Sequence, residues 1–175
     1  MSMFTPDEKL AARELREQSI FALAPLCYRL RQGYLDPDDA LVASDIEFAR
    51  AHGFEPIRQR LRYPVIHSRG IECGDGWLAL VQELSVKIER VLHDMVADGV
   101  LVSVLPGVTQ VKQKFGGLSI HMRGFGGVRM PETIRRILDE ADQQASITCE
   151  LCGSPGTLRK EGYMIVECDE CRDKK

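Results

Sequence analysis

The pattern of apolar and polar positions predicts a strongly amphipathic helix in the middle of the chain. From about residue 76 to residue 98, apolar side chains recur at alternating steps of three and four, the period of one buried helix face. Asp75 is the expected N-cap and Gly99 the expected stop. The apolar positions are Trp77, Leu80, Val81, Leu84, Ile88, Val91, Leu92, Met95 and Val96.

A first helix is predicted near the N-terminus. Thr5 precedes Pro6, and Glu8 lies three residues after Thr5, which is the pattern of a capping box with proline at the first helical position. An apolar stripe then runs as far as Pro25, where a break is expected. The stripe consists of Leu10, Leu15, Ile20 and Leu23.

Two further helices are predicted on either side of the central one. Asp36-Pro37 indicates a helix start, and that helix should stop at Gly53. Residues 54–71, with two prolines, read as an irregular connection or an edge element. Pro131 should open the last helix, whose apolar face consists of Ile134, Ile137, Leu138 and Ala141.

Short strands are predicted between the central and last helices. Val100–Val104 reads as a short apolar strand, and Thr109–Phe115 and Leu118–Arg123 read as a hairpin. Gly116-Gly117 is the expected turn, because a two-residue glycine loop suits the primed turns of hairpins. One face should then carry Val111, Gln113, Phe115, Leu118, Ile120 and Met122, and the other Lys112, Lys114, Ser119, His121 and Arg123.

Two C-x2-C pairs near the C-terminus add the clearest chemistry. Fifteen residues separate the pairs, a spacing typical of a structural four-cysteine zinc site. The segments Thr157–Lys160 and Tyr163–Glu167 can pair as short strands between the two cysteine turns. The sequence therefore predicts a zinc ribbon that holds one structural Zn²⁺. Its ligands are Cys149, Cys152, Cys168 and Cys171.

The alternative for these cysteines is a pair of disulfides, which would require an oxidising compartment. The N-terminal segment alternates acidic and basic residues and has no apolar core of a signal peptide. No stretch has the apolar length needed to span a bilayer. We therefore expect a cytoplasmic protein with no membrane association, in which paired cysteines bind metal.

Together these elements predict an α+β fold, with helices packed on a small antiparallel hairpin or sheet and a C-terminal zinc ribbon. The expected parts are a helical N-terminal segment at 1–60, an α+β core at 61–147 and the ribbon at 148–175. The 175-residue length, with 44% hydrophobic and 28% charged residues, is that of an ordinary folded protein.

Three motifs occur in a recognisable order. They are CGDGW at 73–77, VKQKFGGL at 111–118 and CELCGSPG at 149–156, the last completed by Arg159 and by CDEC at 168–171. This succession resembles a group of small, largely uncharacterised proteins found in bacteria and their phages. The resemblance covers roughly residues 62–171 and leaves 1–60 outside. It implies no established activity.

Positive charge is concentrated in two stretches, although the net charge is −3. Neither the stretch at 56–71 nor the one at 99–131 contains an acidic residue. If they pack together, they form a positive surface for phosphates or an acidic partner. The alternative is two solvated faces balanced by acids from other helices. The candidate binding residues are Arg58, Arg60, Arg62, Arg69, Lys112, Lys114, His121 and Arg123.

Catalysis is not expected. Cys73 precedes a helix start, where the dipole could favour a thiolate, but a packed cysteine beside Trp77 is the better interpretation. Nothing in the sequence brings His67, His93 or His121 to Cys73. A cysteine-dependent enzyme built on Cys73 is the weaker alternative.

A binding function remains. The expectation is a zinc-stabilised, non-catalytic module that binds another protein, as an immunity protein or an inhibitor of a defence or toxin system would. The alternative is a nucleic-acid-binding accessory protein that uses the basic hairpin and the arginine segment. Base stacking is disfavoured, because the hairpin is expected to lack a pair of exposed aromatic side chains. The sequence does not indicate an oligomeric state.

Overall fold

The computed structural model describes residues 5–29, 70–124 and 129–174. Within these ranges the fold is α+β, as predicted. No helix in them is long and apolar enough to cross a bilayer. The predicted helix from Asp36 to Gly53 and nearly all of the segment at 54–71 lie outside the described residues. The helices are α1 (Pro6–Leu23), α2 (Leu78–Ala97), α3 (Glu132–Ala145) and α4 (Asp169–Arg172), and the strands are β1 (Ile71–Glu72), β2 (Gly107–Lys114), β3 (Gly117–Arg123), β4 (Thr157–Arg159) and β5 (Ile165–Glu167).

Helix α1 begins as predicted, but its predicted apolar stripe is wrong except at Ile20, which is buried. Thr5 and Glu8 form the capping box, and the helix ends two residues before Pro25. The three leucines of the stripe, Leu10, Leu15 and Leu23, are exposed. The inward face is polar in the first half of the helix and apolar only near its end. It carries Arg13, Glu17, Ile20, Phe21 and Ala24, at helical spacing.

Helix α2 is the centre of the hydrophobic core, as its periodicity predicts. Trp77, Val81, Ile88 and Leu92 are fully buried along one face. The predicted N-cap at Asp75 is wrong, because a 3-10 turn over Asp75–Trp77 precedes the helix and no side chain caps it. The Asp75 carboxylate pairs instead with Arg13 of α1. Gly99 ends the helix region with φ +87°, as expected.

The predicted strand at Val100–Val104 is also wrong. This segment forms a 3-10 turn over Val102–Val104. Val102 and Leu105 are both buried. Side chains three residues apart align on the same side of a 3-10 helix, so one short turn buries both without any strand pairing.

The sheet is mixed, with the order β1-β2-β3. Ile71 and Glu72 run parallel to β2, opposite Val111 and Lys112, and β2 and β3 form the predicted antiparallel hairpin. The hairpin turn is Phe115-Gly116 rather than Gly116-Gly117, because Lys114 pairs with Gly117. The pairing is therefore two residues away from the predicted register, a shift that keeps every strand residue on its predicted face.

One hydrophobic cluster joins the helices, the sheet and the ribbon. Helix α3 opens after Pro131 as predicted and buries Ile134, Ile137 and Ala141. Val166 of β5 belongs to the same cluster. A buried carboxylate also joins α2 to the segment after α1: Glu89 accepts the N–H groups of Leu26 and Cys27 at 3.0 and 2.8 Å.

Candidate metal centre

A short hairpin brings the two C-x2-C pairs together. Strands β4 and β5 pair antiparallel, with Thr157 opposite Glu167 and Arg159 opposite Ile165. The chain reverses between them at Gly162, whose φ of +87° a glycine adopts without steric cost. The first cysteine pair lies before β4, and the second spans the end of β5 and helix α4. The antiparallel pairing therefore returns the second pair to the first.

The four thiols form one cluster, as predicted. The sulfur atoms of Cys149, Cys152, Cys168 and Cys171 all lie within 4.8 Å of one another. The distance from Cys152 Sγ to Cys168 Sγ is 3.6 Å. A tetrahedral ion with four bonds of about 2.3 Å sets its ligand sulfurs about 3.8 Å apart. All four cysteines are free, and a disulfide would need sulfurs about 2.05 Å apart. The cluster can hold one metal ion.

Local hydrogen bonds already favour the charged form of one thiol. The hydroxyl and backbone N–H of Ser154 lower the pKa of Cys152 to about 6. Hydrogen bonds to Cys152 and Cys168 raise the pKa of Cys171 to about 12. The cluster thus favours a thiolate at Cys152 and a protonated thiol at Cys171, whose proton a bound cation would displace.

The CGDGW segment lies directly against the first cysteine turn. The Gly76 N–H donates to the Glu150 carbonyl at 2.9 Å. The Trp77 ring N–H donates to the Thr148 carbonyl at 2.7 Å. A Cβ on Gly76 would lie 2.8 Å from the Cys152 nitrogen, and closer still to the Cys149 carbonyl. The two backbones meet so closely that only glycine fits at position 76.

Glu150, between the first two cysteines, reinforces this contact. Its Oε1 accepts the Gly74 N–H at 2.9 Å, and its own N–H donates to the Val166 carbonyl at 2.8 Å. Burial raises the pKa of the Glu150 carboxyl, and the Gly74 hydrogen bond opposes that shift. The residue thus ties the first cysteine turn to both the CGDGW segment and β5.

Helix α1 holds the same segment from the other side. The Arg13 guanidinium donates to the carbonyl oxygens of Ile71 and Cys73 at 2.6 and 2.8 Å and also pairs with Asp75. Glu17 accepts the Ile71 N–H at 3.3 Å. The 71–77 segment therefore lies between α1 and the first cysteine turn and contacts both.

The β2–β3 turn contacts the ribbon as well. The Gln113 amide donates to the Met164 carbonyl at 2.5 Å and accepts the Tyr163 hydroxyl at 2.7 Å. The Leu158 side chain covers Gly116, where a Cβ would collide with it. Two motifs therefore contact the ribbon. The CGDGW segment packs on the first cysteine turn, and the VKQKFGGL segment contacts Leu158 of β4 and the two residues just before β5.

The predicted basic residues are only partly tested. Arg58, Arg60, Arg62 and Arg69 lie outside the described residues. Lys114, His121 and Arg123 are exposed on the hairpin, and Lys112 is half-buried. An acid of β1 also belongs to this sheet, since Glu72 lies opposite Lys112 and accepts the Gln110 amide at 3.0 Å. The hairpin residues remain candidates without a demonstrated ligand.

Cys73 is a packed thiol. It is 8% exposed, and burial raises its pKa to about 12, although the nearby Arg13 opposes the shift. His93 contacts Glu89 and His121 contacts Ser119, while His67 lies outside the described residues. In the described ranges no histidine contacts Cys73, and the helix start does not favour its thiolate.

The sequence did not indicate that Gly74, Gly76 and Glu150 join the cysteine cluster to the core. The one available signal was the spacing of two glycines just before the only tryptophan. A glycine at such a position can mark either a helix start or a close backbone approach, and the sequence pattern alone does not separate them. Here the close approach is what the structure has.

No family model, curated protein or solved structure matches this chain. The order of motifs therefore stays a resemblance.

Proposed function

We propose that the cluster binds one structural Zn²⁺ and that the protein is a non-catalytic, protein-binding module stabilised by this ion. The single observation that carries the metal assignment is the set of four thiols within 4.8 Å of one another. Four soft thiolates in tetrahedral reach favour zinc over the hard cations, which prefer oxygen ligands. Cys149, Cys152, Cys168 and Cys171 would hold the ion.

The ion's role is to stabilise the ribbon. Four cysteine ligands fill a tetrahedral shell, so no position is left for water or substrate. The described ribbon residues supply one buried aliphatic side chain, Val166. A segment of this size without a core of its own commonly depends on a metal for its fold. When bound, zinc would link the first cysteine turn to the second.

Binding rather than catalysis is supported by the state of Cys73 and by the surface next to the ribbon. A thiol with a pKa near 12 is almost wholly protonated at neutral pH and is a poor nucleophile. Phe115 and Tyr163 are each 71% exposed, and exposed aromatic side chains are typical of protein interfaces. An immunity protein or an inhibitor of a defence or toxin system would be a member of this functional class.

The metal assignment is tested on the purified full chain. Elemental analysis should find one zinc per chain, and exchange with Co²⁺ should give the visible absorption of tetrahedral thiolate coordination. A protein that purifies with no transition metal and binds none when zinc is added would contradict the assignment.

The binding assignment is tested with tagged protein in extracts of the cells that make it, with and without nuclease. A protein recovered in a fixed ratio after nuclease treatment supports it, once the purified pair binds in solution. Recovery that disappears with nuclease would instead favour the nucleic-acid alternative.

One observation favours the nucleic-acid alternative. Phe115 was expected on a strand face, but it lies in the exposed turn beside Lys114, whose Nζ is 5.5 Å from the ring centroid. Proteins that bind single-stranded nucleic acids combine exposed aromatic side chains, which stack on bases, with basic side chains, which contact phosphates. Binding of this kind should weaken steeply with salt.

A further inference from the structure

We infer that the cysteine cluster is a redox switch: a hydroperoxide oxidises Cys152, a disulfide to Cys168 follows, and the metal ion is released. The inference rests on the proposed zinc site and names how that site is regulated. Cys152 is the modified residue, and Cys168 is the thiol that closes the disulfide. An accessible thiolate beside a second cysteine is the arrangement typical of cysteines that respond to oxidants.

The four cysteines differ in their access to solvent. Cys149 is fully buried, Cys168 and Cys171 are half-buried, and Cys152 is exposed. Leu151, the residue before Cys152, is exposed as well. A cysteine that binds a metal is a thiolate, and the thiolate is the nucleophilic form of cysteine. A small oxidant in solution therefore reaches the Cys152 sulfur first and finds it in the reactive form.

Cys168 lies close enough to close a disulfide with Cys152. Their Sγ atoms are 3.6 Å apart, and a disulfide needs about 2.05 Å. Strands β4 and β5 pair within residues 157–167, so neither cysteine belongs to the paired stretch and the sulfurs can approach without breaking it. Cys149 is held more tightly, because its N–H donates to the Ser154 carbonyl at 2.7 Å. The geometry therefore favours a bond between the two cysteine turns.

Atoms and electrons balance with one hydroperoxide per disulfide. The Cys152 thiolate attacks the O–O bond, becomes a sulfenic acid and expels hydroxide. The Cys168 thiolate then attacks the sulfenic sulfur, forms the S–S bond and expels a second hydroxide. The two sulfurs lose two electrons in all, and these reduce the peroxide bond. Two protons from solvent convert the two hydroxides to water.

The disulfide removes two of the four metal ligands. Cys149 and Cys171 remain, and two thiolates do not complete the tetrahedral shell of a structural zinc ion, so the ion dissociates. The new bond joins the first cysteine turn to the second, as the ion did before. The oxidised ribbon is therefore free of metal but still cross-linked, unlike the ribbon after chelation.

The charge around the cluster favours a neutral oxidant. The ribbon at 148–175 contains six acidic and five basic residues. Four thiolates around one Zn²⁺ carry a further net charge of about −2. Asp169, which pairs with Arg159, and Glu170 directly follow Cys168 in the first turn of α4. An anionic oxidant such as glutathione disulfide is repelled by this charge, whereas hydrogen peroxide is not.

The test uses the purified full chain, loaded with zinc and freed of reductant. Excess hydrogen peroxide should release one zinc per chain, followed with a metal-sensitive dye, and leave a chain lighter by two hydrogen atoms. The remaining thiols are then alkylated and the chain is digested. Mass spectrometry with fragmentation should find peptides joined through Cys152 and Cys168. A dithiol reductant should restore both the thiols and zinc binding.

Two histidine variants separate oxidation from metal binding, because histidine is also a zinc ligand. Cys152→His should still bind one zinc but lacks the exposed thiol, so peroxide should release its zinc about ten-fold more slowly or less. Cys171→His keeps the reactive pair and should form the same disulfide within about two-fold of the unaltered rate. Equal rates of zinc release in the two variants would overturn the role of Cys152.

Ionic strength tests the preference for a neutral oxidant. Added salt should speed zinc release by glutathione disulfide and leave the rate with hydrogen peroxide nearly unchanged, because salt screens only interactions between charges. A rate with glutathione disulfide that stays constant or falls as salt is added would reject the charge argument, and with it the selection of a hydroperoxide.

The outcomes separate this inference from the proposed function. A chain that holds no zinc before oxidation overturns the zinc site. A zinc-loaded chain that keeps its zinc in peroxide, or whose disulfide joins any other pair of cysteines, overturns the switch and leaves the structural zinc site standing. Zinc loss with sulfinic or sulfonic acids in place of the disulfide also overturns the switch, because those products are not restored by a dithiol.

Discussion

The core and the ribbon of this chain are stabilised in different ways. In the core, helices α1, α2 and α3 and the sheet bury aliphatic and aromatic side chains in one cluster. The described ribbon residues bury one aliphatic side chain, Val166, and include four cysteines that can share one ion. Backbone contacts must therefore join two such unlike parts. Those contacts are the ones between Gly74, Gly76 and the first cysteine turn.

The largest expected effect comes from removing a metal ligand. Cys149→Ser should lower zinc content to near zero and unfold the ribbon, since structural zinc binding is worth roughly 10–16 kcal/mol in small domains. Elemental analysis and thermal melting measure both effects. The core should keep its own cooperative transition. Cys27→Ala is the control, because Cys27 is buried away from the cluster and its loss should leave one zinc per chain. Unchanged metal content in Cys149→Ser would contradict the ligand assignment.

The next effect separates the packing of the ribbon on the CGDGW segment from metal binding. Gly76→Ala places a Cβ against the Cys149 carbonyl and Cys152 nitrogen, so the cysteine turn must move. We expect a loss of about 3 kcal/mol in the free energy of unfolding, at the upper end of the usual cost of overpacking, because the atoms that the Cβ meets are backbone atoms. Denaturant titration measures it.

Gly162→Ala is the matched control for that variant. Gly162 has a φ of +87° but nothing within 4 Å of a Cβ, so its cost is conformational strain alone, about 1 kcal/mol. Equal losses in the two variants would mean that the close approach at Gly76 does not matter.

A smaller effect tests one hydrogen bond between the CGDGW segment and the ribbon. Trp77→Phe removes the donor to the buried Thr148 carbonyl and should cost about 1–3 kcal/mol. It should also speed zinc loss to a chelator, followed with a metal-sensitive dye. Tyr28→Phe removes a similar buried bond, to Ser85, inside the core. That control should lose stability without faster zinc release; faster release from both variants would show that zinc retention follows global stability.

A pH effect is expected on the core side. Burial raises the pKa of Cys73 to about 12, and it also raises the pKa of Cys27. The unfolded chain releases these protons from about pH 8.5, while the folded chain keeps them. Stability should therefore be constant below that pH and fall above it, by at most about 1.4 kcal/mol per pH unit for each thiol. Denaturant titrations at pH 7 to 10 should show a shallower fall for Cys73→Val, and an identical slope would contradict the burial of Cys73.

The smallest effect has the opposite sign. Phe115→Asn removes a bulky residue from the left-handed region and completes an Asn-Gly turn, so the free chain should gain about 0.5–1 kcal/mol. Thermal melting measures it. Destabilisation would mean that the Phe115 ring supports the fold and that its left-handed backbone costs the chain little.

The sequence predicted the elements whose signal is local. Thr5 and Glu8 form their capping box, the apolar period over α2 gives its buried face, and the cysteine spacing gives the cluster. The faces of the hairpin were also predicted correctly. The faces are correct although the predicted turn is wrong, because a shift of two residues in the pairing leaves each side chain on the same face.

The failures at the α1 stripe, Asp75 and Gly76 share a physical cause, because each depended on contacts distant in sequence. The α1 stripe was wrong because Arg13 and Glu17 face inward to bind the backbone near Ile71. Asp75 was read as a cap because its partner, Arg13, is 62 residues away. Gly76 gave no sign of the cysteine turn on which it packs. Propensity and period carry no information about such partners.

The central claim is that one ion folds the ribbon and that the ribbon, once folded, is held on the CGDGW segment. Amide hydrogen exchange of the full chain, zinc-loaded and after chelation, tests this directly. We predict that chelation removes protection from residues 148–174 and lowers it at 73–77, while the middle of α2 stays protected. Equal protection throughout the chain in both samples would contradict it.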